Sequence, residues 1–359
     1  MWEENEHLLV YNPLKKIKAK RIIGFDLDST LIKTKSGKKY AVSKDDWEYN
    51  YSVVQDKVKN LPEDIYVIIV SNQKGLKSKS QKDDYKYKIE HLDFGRKFTL
   101  FAALTDVYRK PSSHIFEKFI APIRISSFMF VGDAAGRQGD FADSDRMFAE
   151  NIRMRFPGVN VYFRTPEKFF NITTKTPQDI VHVEKFNPQK YLDMPTFDIS
   201  PIVEQIKNFE TLVIMVGPPA SGKSTLAKKL SYKTGADILN NDSQTPRVVQ
   251  KRFAEIVKSG KLTRSIIIDN TNPDDASRNK FIDKVTTGPI LILIMPQDRE
   301  LIKQLYHCRV RQTSILIPDV VYNIYYKKYS RPTETNRIRV IDIPFSFSSS
   351  SKLDFLEHY

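Results

Sequence analysis

Cysteine is almost missing from this sequence: Cys308 stands alone among 359 residues. No disulfide can form within the chain, so a fold held by bridges is excluded, and a lone thiol fits a reducing compartment. Long apolar runs are missing too. "ILILIM" at 290–295 has the length of a buried strand and falls far short of the ~18 residues a membrane span needs. The opening residues, "MWEENEHLLVYNP", are acidic and lack the apolar centre of a secretory signal. A nuclear or cytoplasmic protein is therefore expected, not a secreted one, and no membrane contact. No internal repeat is present.

What the chain does have is positive charge. Its net charge of +14 divides evenly, +7 up to residue 170 and +7 after it. A basic tail would give a lopsided split. Two equally basic halves suggest that both handle a polyanion, of which nucleic acid is the usual one; solubility is the plainer reading. A length of 359 residues suggests two domains at roughly 100–200 residues each.

Short apolar runs that end at a polar residue recur at 21–26, 65–70 and 127–133, and a fourth strand is expected at 159–163. Buried parallel strands read this way, with functional groups at their carboxyl ends. Stretches 81–92 and 111–120 have enough length for helices. From 171 to 206 the pattern breaks down at prolines 177, 188, 195 and 201, which predicts an ordered linker. A second series follows: strands at 211–216, 265–270 and 289–295, and helices at 246–259, 273–285, 298–307 and 318–329. A further helix begins in "GKSTLAKKLSYKTG" and stops at Gly235. Both halves are expected to be α/β with mainly parallel sheets, over 1–170 and 207–359.

Two constellations carry chemistry. In "GFDLDSTLI", Asp26 and Asp28 stand at the end of the first strand. One carboxylate can attack phosphorus to form an aspartyl-phosphate, while the other protonates the leaving oxygen and then deprotonates water. Their charge repels a phosphate anion, so Mg²⁺ is expected to offset it. D-x-D-x-T is a weak signal by itself; a polar strand-to-turn junction gives the same pattern. Later strand ends add Ser71 and Asn72 in "VSNQKG", Lys110 in "YRKP" and Asp133 in "VGDAAGR". A hydroxyl, a cation and a metal ligand are thereby supplied. This order of Asp, Ser, Lys and Asp resembles the haloacid-dehalogenase phosphatase superfamily, in which many members have glycine where this chain has Ser29. A serine there is expected to be tolerated unless the turn requires a positive φ.

"GPPASGKS" at 217–224 matches the P-loop pattern between a strand and a helix. Gly217, Ser221, Gly222, Lys223, Ser224 and Thr225 are the candidate ATP-binding residues. Backbone N–H groups cradle the phosphates, Lys223 reaches the β- and γ-phosphates, and Ser224 holds Mg²⁺. Asp242 in "NND" is a candidate base for an attacking hydroxyl. Asp269 ends a strand where such folds help position Mg²⁺. Arg309 and Arg311 in "CRVRQT" offer charge on an expected lid; solvated arginines are the alternative.

Together "GFDLDSTLI", "SGK", "DDW", "SNQKG", "YRKP", "VGDAAGR", "DRMFAENI", "TPEKFF", "GPPASGKST", "IDNTNPDDASR", "HCRVRQ", "RPT" and "IPF" resemble the eukaryotic-type polynucleotide kinase 3′-phosphatase family, in its order, from about residue 20 to 345. The resemblance implies removal of 3′-phosphates from DNA ends and ATP-dependent phosphorylation of 5′-hydroxyls. It implies Asp26 as nucleophile, Asp28 as general acid/base, and Ser71 and Lys110 as phosphate contacts. Asp133, Asp26 and the Asp28 carbonyl would hold Mg²⁺, and Asp242 would be the kinase base. Arg109 and Arg137 are candidates for orienting carboxylates. Asn241 departs from the family's arginine, for which Arg247 is a possible replacement. The family's forkhead-associated module is not expected here. "KKIKAKR" at 15–21 reads as a nuclear import signal or as a basic approach to the first strand. RNA end healing before ligation, an end-binding scaffold without turnover, and a fused metabolite phosphatase and kinase stand as alternatives. A DNA ligase is an expected partner in the pathway.

Overall fold

The computed structural model describes residues 1–12, 19–174, 186–192, 194–241, 244–347 and 352–359. The "KKIKAKR" segment thus lies largely outside the described residues. The chain forms two compact units: Met1–Lys185 with Glu357–Tyr359, and Phe186–Leu356.

The first unit is built on a seven-stranded sheet in the order β1-β2-β7-β6-β3-β8-β9. Its strands are β1 (Trp2–Glu4), β2 (Leu8–Tyr11), β3 (Arg21–Phe25), β6 (Ile65–Asn72), β7 (Phe98–Ala103), β8 (Ser127–Val131) and β9 (Asn160–Arg164); β4 (Ile32–Lys33) and β5 (Glu48–Tyr49) form a small separate pair. The five strands from β7 to β9 are parallel, and β1 and β2 add an antiparallel edge. The chain runs outward from β3 through β6 and β7, then returns to the other side of β3 with β8. The carboxyl ends of β3, β6 and β8 therefore meet at the switch point, where open α/β sheets bind ligands. Phe25, Ile69, Leu100 and Val131 belong to the core on one face. On the other, Phe148 from the helix Ser144–Arg155 packs edge-on against Phe130 at 4.9 Å.

The second unit carries a five-stranded, fully parallel sheet, β11-β14-β10-β15-β16. These are β10 (Leu212–Val216), β11 (Asp237–Leu239), β14 (Ile266–Ile268), β15 (Ile290–Ile294) and β16 (Ile338–Asp342), while β12 (Val257–Lys258) and β13 (Lys261–Leu262) form a short hairpin. The central β10 is buried along its whole length. The helix Lys223–Thr234 follows it and ends at Gly235, which adopts φ 74° as the expected stop requires.

The structure departs from the expected boundaries in several places. Ser200–Asn208, which begins inside the expected linker and runs past its end at 206, is a helix whose Ile202 and Ile206 enter the second unit's core. Glu357–Tyr359 join the first unit, not the second. The stretch 111–120 forms no regular α-helix: Phe116–Ile120 is a π-turn followed by the 3₁₀ turn Ala121–Ile123, with Pro122 lacking the N–H that a continuing helix needs.

Candidate active sites

The first site begins where β3 stops. The Asp26 amide donates to the Val131 carbonyl at 2.8 Å, which fixes the aspartate beside β8. Its side chain turns inward and is nearly buried, whereas Asp28, two residues on, is exposed. Between them and Thr30 the chain turns through Ser29 at φ 61°. The turn thus does require the left-handed region, and serine holds it at a cost of about 1–2 kcal/mol relative to an unstrained residue. The Asn50 side chain supports the turn by donating to the Ser29 carbonyl at 2.6 Å.

Lys110 is the centre of charge. Its buried ammonium lies 2.5 Å from Asp26 Oδ1 and 2.7 Å from Asp145 Oδ1. Burial pulls its pKa down, but Asp145 and Asp26 outweigh that and hold it above its ordinary value, so it stays charged. Asn72 clamps its backbone from both sides: its Nδ2 donates to the Lys110 carbonyl at 3.1 Å and its Oδ1 accepts from the Lys110 amide at 2.9 Å.

Asp145 was not among the residues singled out from sequence. It opens the helix Ser144–Arg155, and its Oδ2 accepts from the Ala134 amide at 3.1 Å. Ligand oxygens of Asp26, Asp133 and Asp145 all lie within 4.8 Å of one another. Three carboxylates face one ammonium, so the cluster has an excess of negative charge. Burial pushes Asp26 well above the usual carboxylate range, with Lys110 opposing and the neighbouring aspartates adding to the rise. Burial, then Asp145, pushes Asp133 up to about 7. A hard divalent cation fits this all-oxygen set and would relieve the repulsion. Thr30 fixes Asp133 by donating to its Oδ1 at 3.2 Å and accepting from its amide at 3.2 Å.

Sequence reasoning also passed over Gln73. Its Nε2 donates to Asp28 Oδ2 at 2.7 Å and to Ser71 Oγ at 2.9 Å, tying the exposed acid to the buried hydroxyl. Arg137 holds no carboxylate of this cluster. It pairs with Asp140 at 3.0 Å and Glu167 at 2.9 Å and donates to the Asp133 carbonyl at 3.3 Å, bracing the loop behind the site.

In the second unit the loop after β10 turns through Ala220 at φ 64° and Gly222 at φ 92°. Successive amides in such conformations make an anion-binding concavity ahead of a helix N-terminus. Lys223 folds back, its Nζ donating to the Pro218 carbonyl at 2.7 Å. Ser221 Oγ is buried and finds no hydrogen-bond partner among the described residues. A Cβ on Gly217 would approach Ser221 Oγ to 2.7 Å and Met295 Cβ to 2.8 Å, so the loop packs too tightly for any side chain there. Ser224 and Thr225 are exposed at the start of the helix. These features fit a bound polyphosphate with its cation.

Asp269 follows β14, nearly buried, and its amide donates to the Leu239 carbonyl at 2.9 Å. Beside it the Asn241 amide donates to Asn270 Oδ1 at 2.8 Å. Asp242 lies outside the described residues. Arg247 is exposed in the first turn of the helix Pro246–Ile256. Arg309 is half-buried on the helix Arg299–Thr313, whereas Arg311 on the same helix is engaged by Asp354 at 3.0 Å. Among the described residues no helix is long and apolar enough to cross a membrane.

Comparison with known proteins gives a match for each unit. A family described as polynucleotide kinase 3 phosphatase matches residues 21–170, and an AAA domain family matches residues 212–323. The "Bifunctional polynucleotide phosphatase/kinase" of Schizosaccharomyces pombe is 32% identical, over 96% of this chain and 84% of its own. A relative of like description in Acanthamoeba polyphaga mimivirus is 28% identical, over 97% of this chain and 91% of its own. The "Polynucleotide 3'-phosphatase" of Saccharomyces cerevisiae is 32% identical over 23% of this chain and 38% of its own. With a match of that identity along nearly its whole length, the chain belongs to the family of bifunctional polynucleotide phosphatase/kinases.

Proposed function

We propose that the protein prepares broken DNA for ligation, removing 3′-phosphates in the first unit and phosphorylating 5′-hydroxyls in the second. The observation that supports this most is the pairing of a buried nucleophile, Asp26 against Lys110, with an exposed acid, Asp28. An exposed acid beside a buried nucleophile suits a leaving group that remains outside, as a polymer end must.

An Asp26 oxygen attacks phosphorus and the bond to the 3′ oxygen breaks. Asp28 delivers its proton to that oxygen, leaving a 3′-hydroxyl. Asp28, now ionised, takes a proton from water as the water oxygen attacks the phosphoryl group. The Asp26–phosphorus bond breaks, inorganic phosphate leaves, and Asp28 is again protonated. Gln73 aims Asp28, and Ser71 and Lys110 bind the phosphoryl oxygens. Asp26, Asp133, Asp145 and the Asp28 carbonyl would hold Mg²⁺, which offsets the charge gathered in the site.

In the kinase unit the loop amides and Lys223 bind the ATP phosphates, and Ser224 and Asp269 would hold Mg²⁺, which would offset the triphosphate charge. Asp242 accepts the proton of the attacking 5′-hydroxyl. The γ-phosphorus bonds to that oxygen and ADP leaves, with Arg309 offsetting charge on the transferred group.

The test is turnover of matched oligonucleotides ending in 3′-phosphate or 5′-hydroxyl, in DNA and in RNA, with Mg²⁺ and ATP. Both DNA ends should be processed, faster than the RNA ends, and EDTA should stop both reactions. Faster RNA turnover would transfer the proposal to RNA end healing; DNA binding without turnover would leave only a scaffold.

One glycine gives a sharper prediction. A Cβ on Gly132 would fall on the Asp145 carboxylate, touching Oδ2 and approaching Cγ to 2.5 Å and Cβ to 2.6 Å. Gly132→Ala should therefore push Asp145 off Lys110. Displacements near 1 Å at a site cost about 10²-fold in rate. Steady-state assays should register a loss of that order in 3′-phosphatase kcat and none in the kinase.

A further inference from the structure

Three residues reached only after the whole kinase sequence belong to the phosphatase unit. Glu357 is fully buried there. One carboxylate oxygen accepts from the Ser113 hydroxyl and from Arg155 Nε at 3.1 Å. The other accepts from the Ser113 amide at 3.3 Å and from the Tyr359 hydroxyl at 2.9 Å. The next residue, His358, is bonded through its backbone to Asn151, whose Nδ2 donates to the His358 carbonyl at 3.0 Å and whose Oδ1 accepts from the His358 amide at 2.8 Å.

These bonds converge on the turn that carries Lys110. Asn151 is itself fully buried, and its Nδ2 also donates to the Pro111 carbonyl at 2.9 Å. The turn is thus gripped at Lys110 by Asn72, at Pro111 by Asn151 and at Ser113 by Glu357. Asn151 and Arg155 lie on the helix Ser144–Arg155, whose first turn carries Asp145, the second partner of the Lys110 ammonium. One helix therefore supplies the lysine's counter-charge and, through residues 357–359, the lock on its backbone. A buried carboxylate survives only where hydrogen bonds and a counter-charge meet it, so removing Glu357 takes from Ser113 and Arg155 the bonds that tie the turn to the helix and loosens the turn.

We propose that Asn151 is a positioning residue for Lys110, held in place by Glu357–Tyr359, so that the phosphatase site is completed by residues 244 positions beyond its own loop. The inference rests on the reading of Lys110 as a phosphate contact.

The test uses the full chain and measures 3′-phosphatase kcat together with the inhibition constant for inorganic phosphate. That constant does not depend on how much of the enzyme is folded, so a merely structural loss leaves it unchanged. Glu357→Ala and Asn151→Ala should lower kcat at least tenfold and raise the phosphate constant at least fivefold, with kinase turnover unchanged. Glu357→Gln retains an acceptor for Ser113 and should recover to within threefold of the parent. If Glu357→Ala does not fold, Asn151→Ser carries the test, with the phosphate constant expected to rise at least threefold. Lys110→Met is the reference. If it leaves the phosphate constant unchanged, the role assigned to Lys110 falls and the inference with it. If it raises the constant while the Asn151 and Glu357 variants do not, only the inference is overturned.

Discussion

Asp26→Asn is expected to remove the 3′-phosphatase activity by about 10⁴-fold or more, leaving the 5′-kinase within twofold of the parent. The substitution keeps the shape of the side chain but leaves no oxygen able to form the acyl phosphate. Lys110 retains Asp145 at 2.7 Å, so its charge remains compensated and the site should stay assembled. Stability gives a second readout, with the opposite sign. Burial raises the Asp26 pKa above the unfolded value of about 3.9, so the folded chain binds the more protons between those two values. Its contribution therefore falls as pH rises through that window. Asn carries no such penalty. In EDTA, the phosphatase unit of Asp26→Asn should melt higher than the parent at pH 8, and the gap should narrow toward pH 4. A variant that lost both activities would mean that Asp26 holds the fold, and one that melted lower at pH 8 would mean that its pairing with Lys110 outweighs the cost of its burial.

Much of this site could be read in the sequence because parallel strands buried on both faces appear as unbroken apolar runs, and the chemistry sits at their ends. Asp26, Ser71 and Asp133 are singled out that way, whereas Lys110 stands in the loop beyond Phe98–Ala103 and is singled out through "YRKP". Asp145 is not. It is the second residue of a helix, where an acid is ordinary because it faces the helix dipole. Only the fold brings it to Lys110. Gln73 is hidden for a related reason: its contact with Asp28 crosses from β6 to β3 and leaves no periodic trace. Phe98–Ala103 goes unread because Thr99 interrupts its apolar run and its two closing alanines have little strand preference. Ser29 exposes a limit of residue type: the left-handed turn was identifiable as a condition, but serine does not announce that the condition applies.

Lys223→Met should lower kinase turnover by at least about 10²–10³-fold, the range for losing a single charge-stabilising donor, while the phosphatase is unchanged. Methionine fits the same slot, and the side chain it replaces is only 8% exposed. The Pro218 carbonyl loses a donor at a cost of about 1 kcal/mol, too little to unfold the unit. Lys223→Arg should not rescue the loss. The lysine reaches a carbonyl of its own loop at 2.7 Å, and a forked guanidinium needs more room than that tight turn leaves. Binding of a fluorescent ATP analogue separates the two ways the variant can fail. A donor acting on the transferred phosphate costs rate more than affinity, so kcat should fall by a larger factor than binding weakens. Equal losses would make Lys223 a ground-state anchor. Retained turnover would mean that the loop amides alone carry the triphosphate, and loss of the phosphatase as well would mean that the two sites do not work independently.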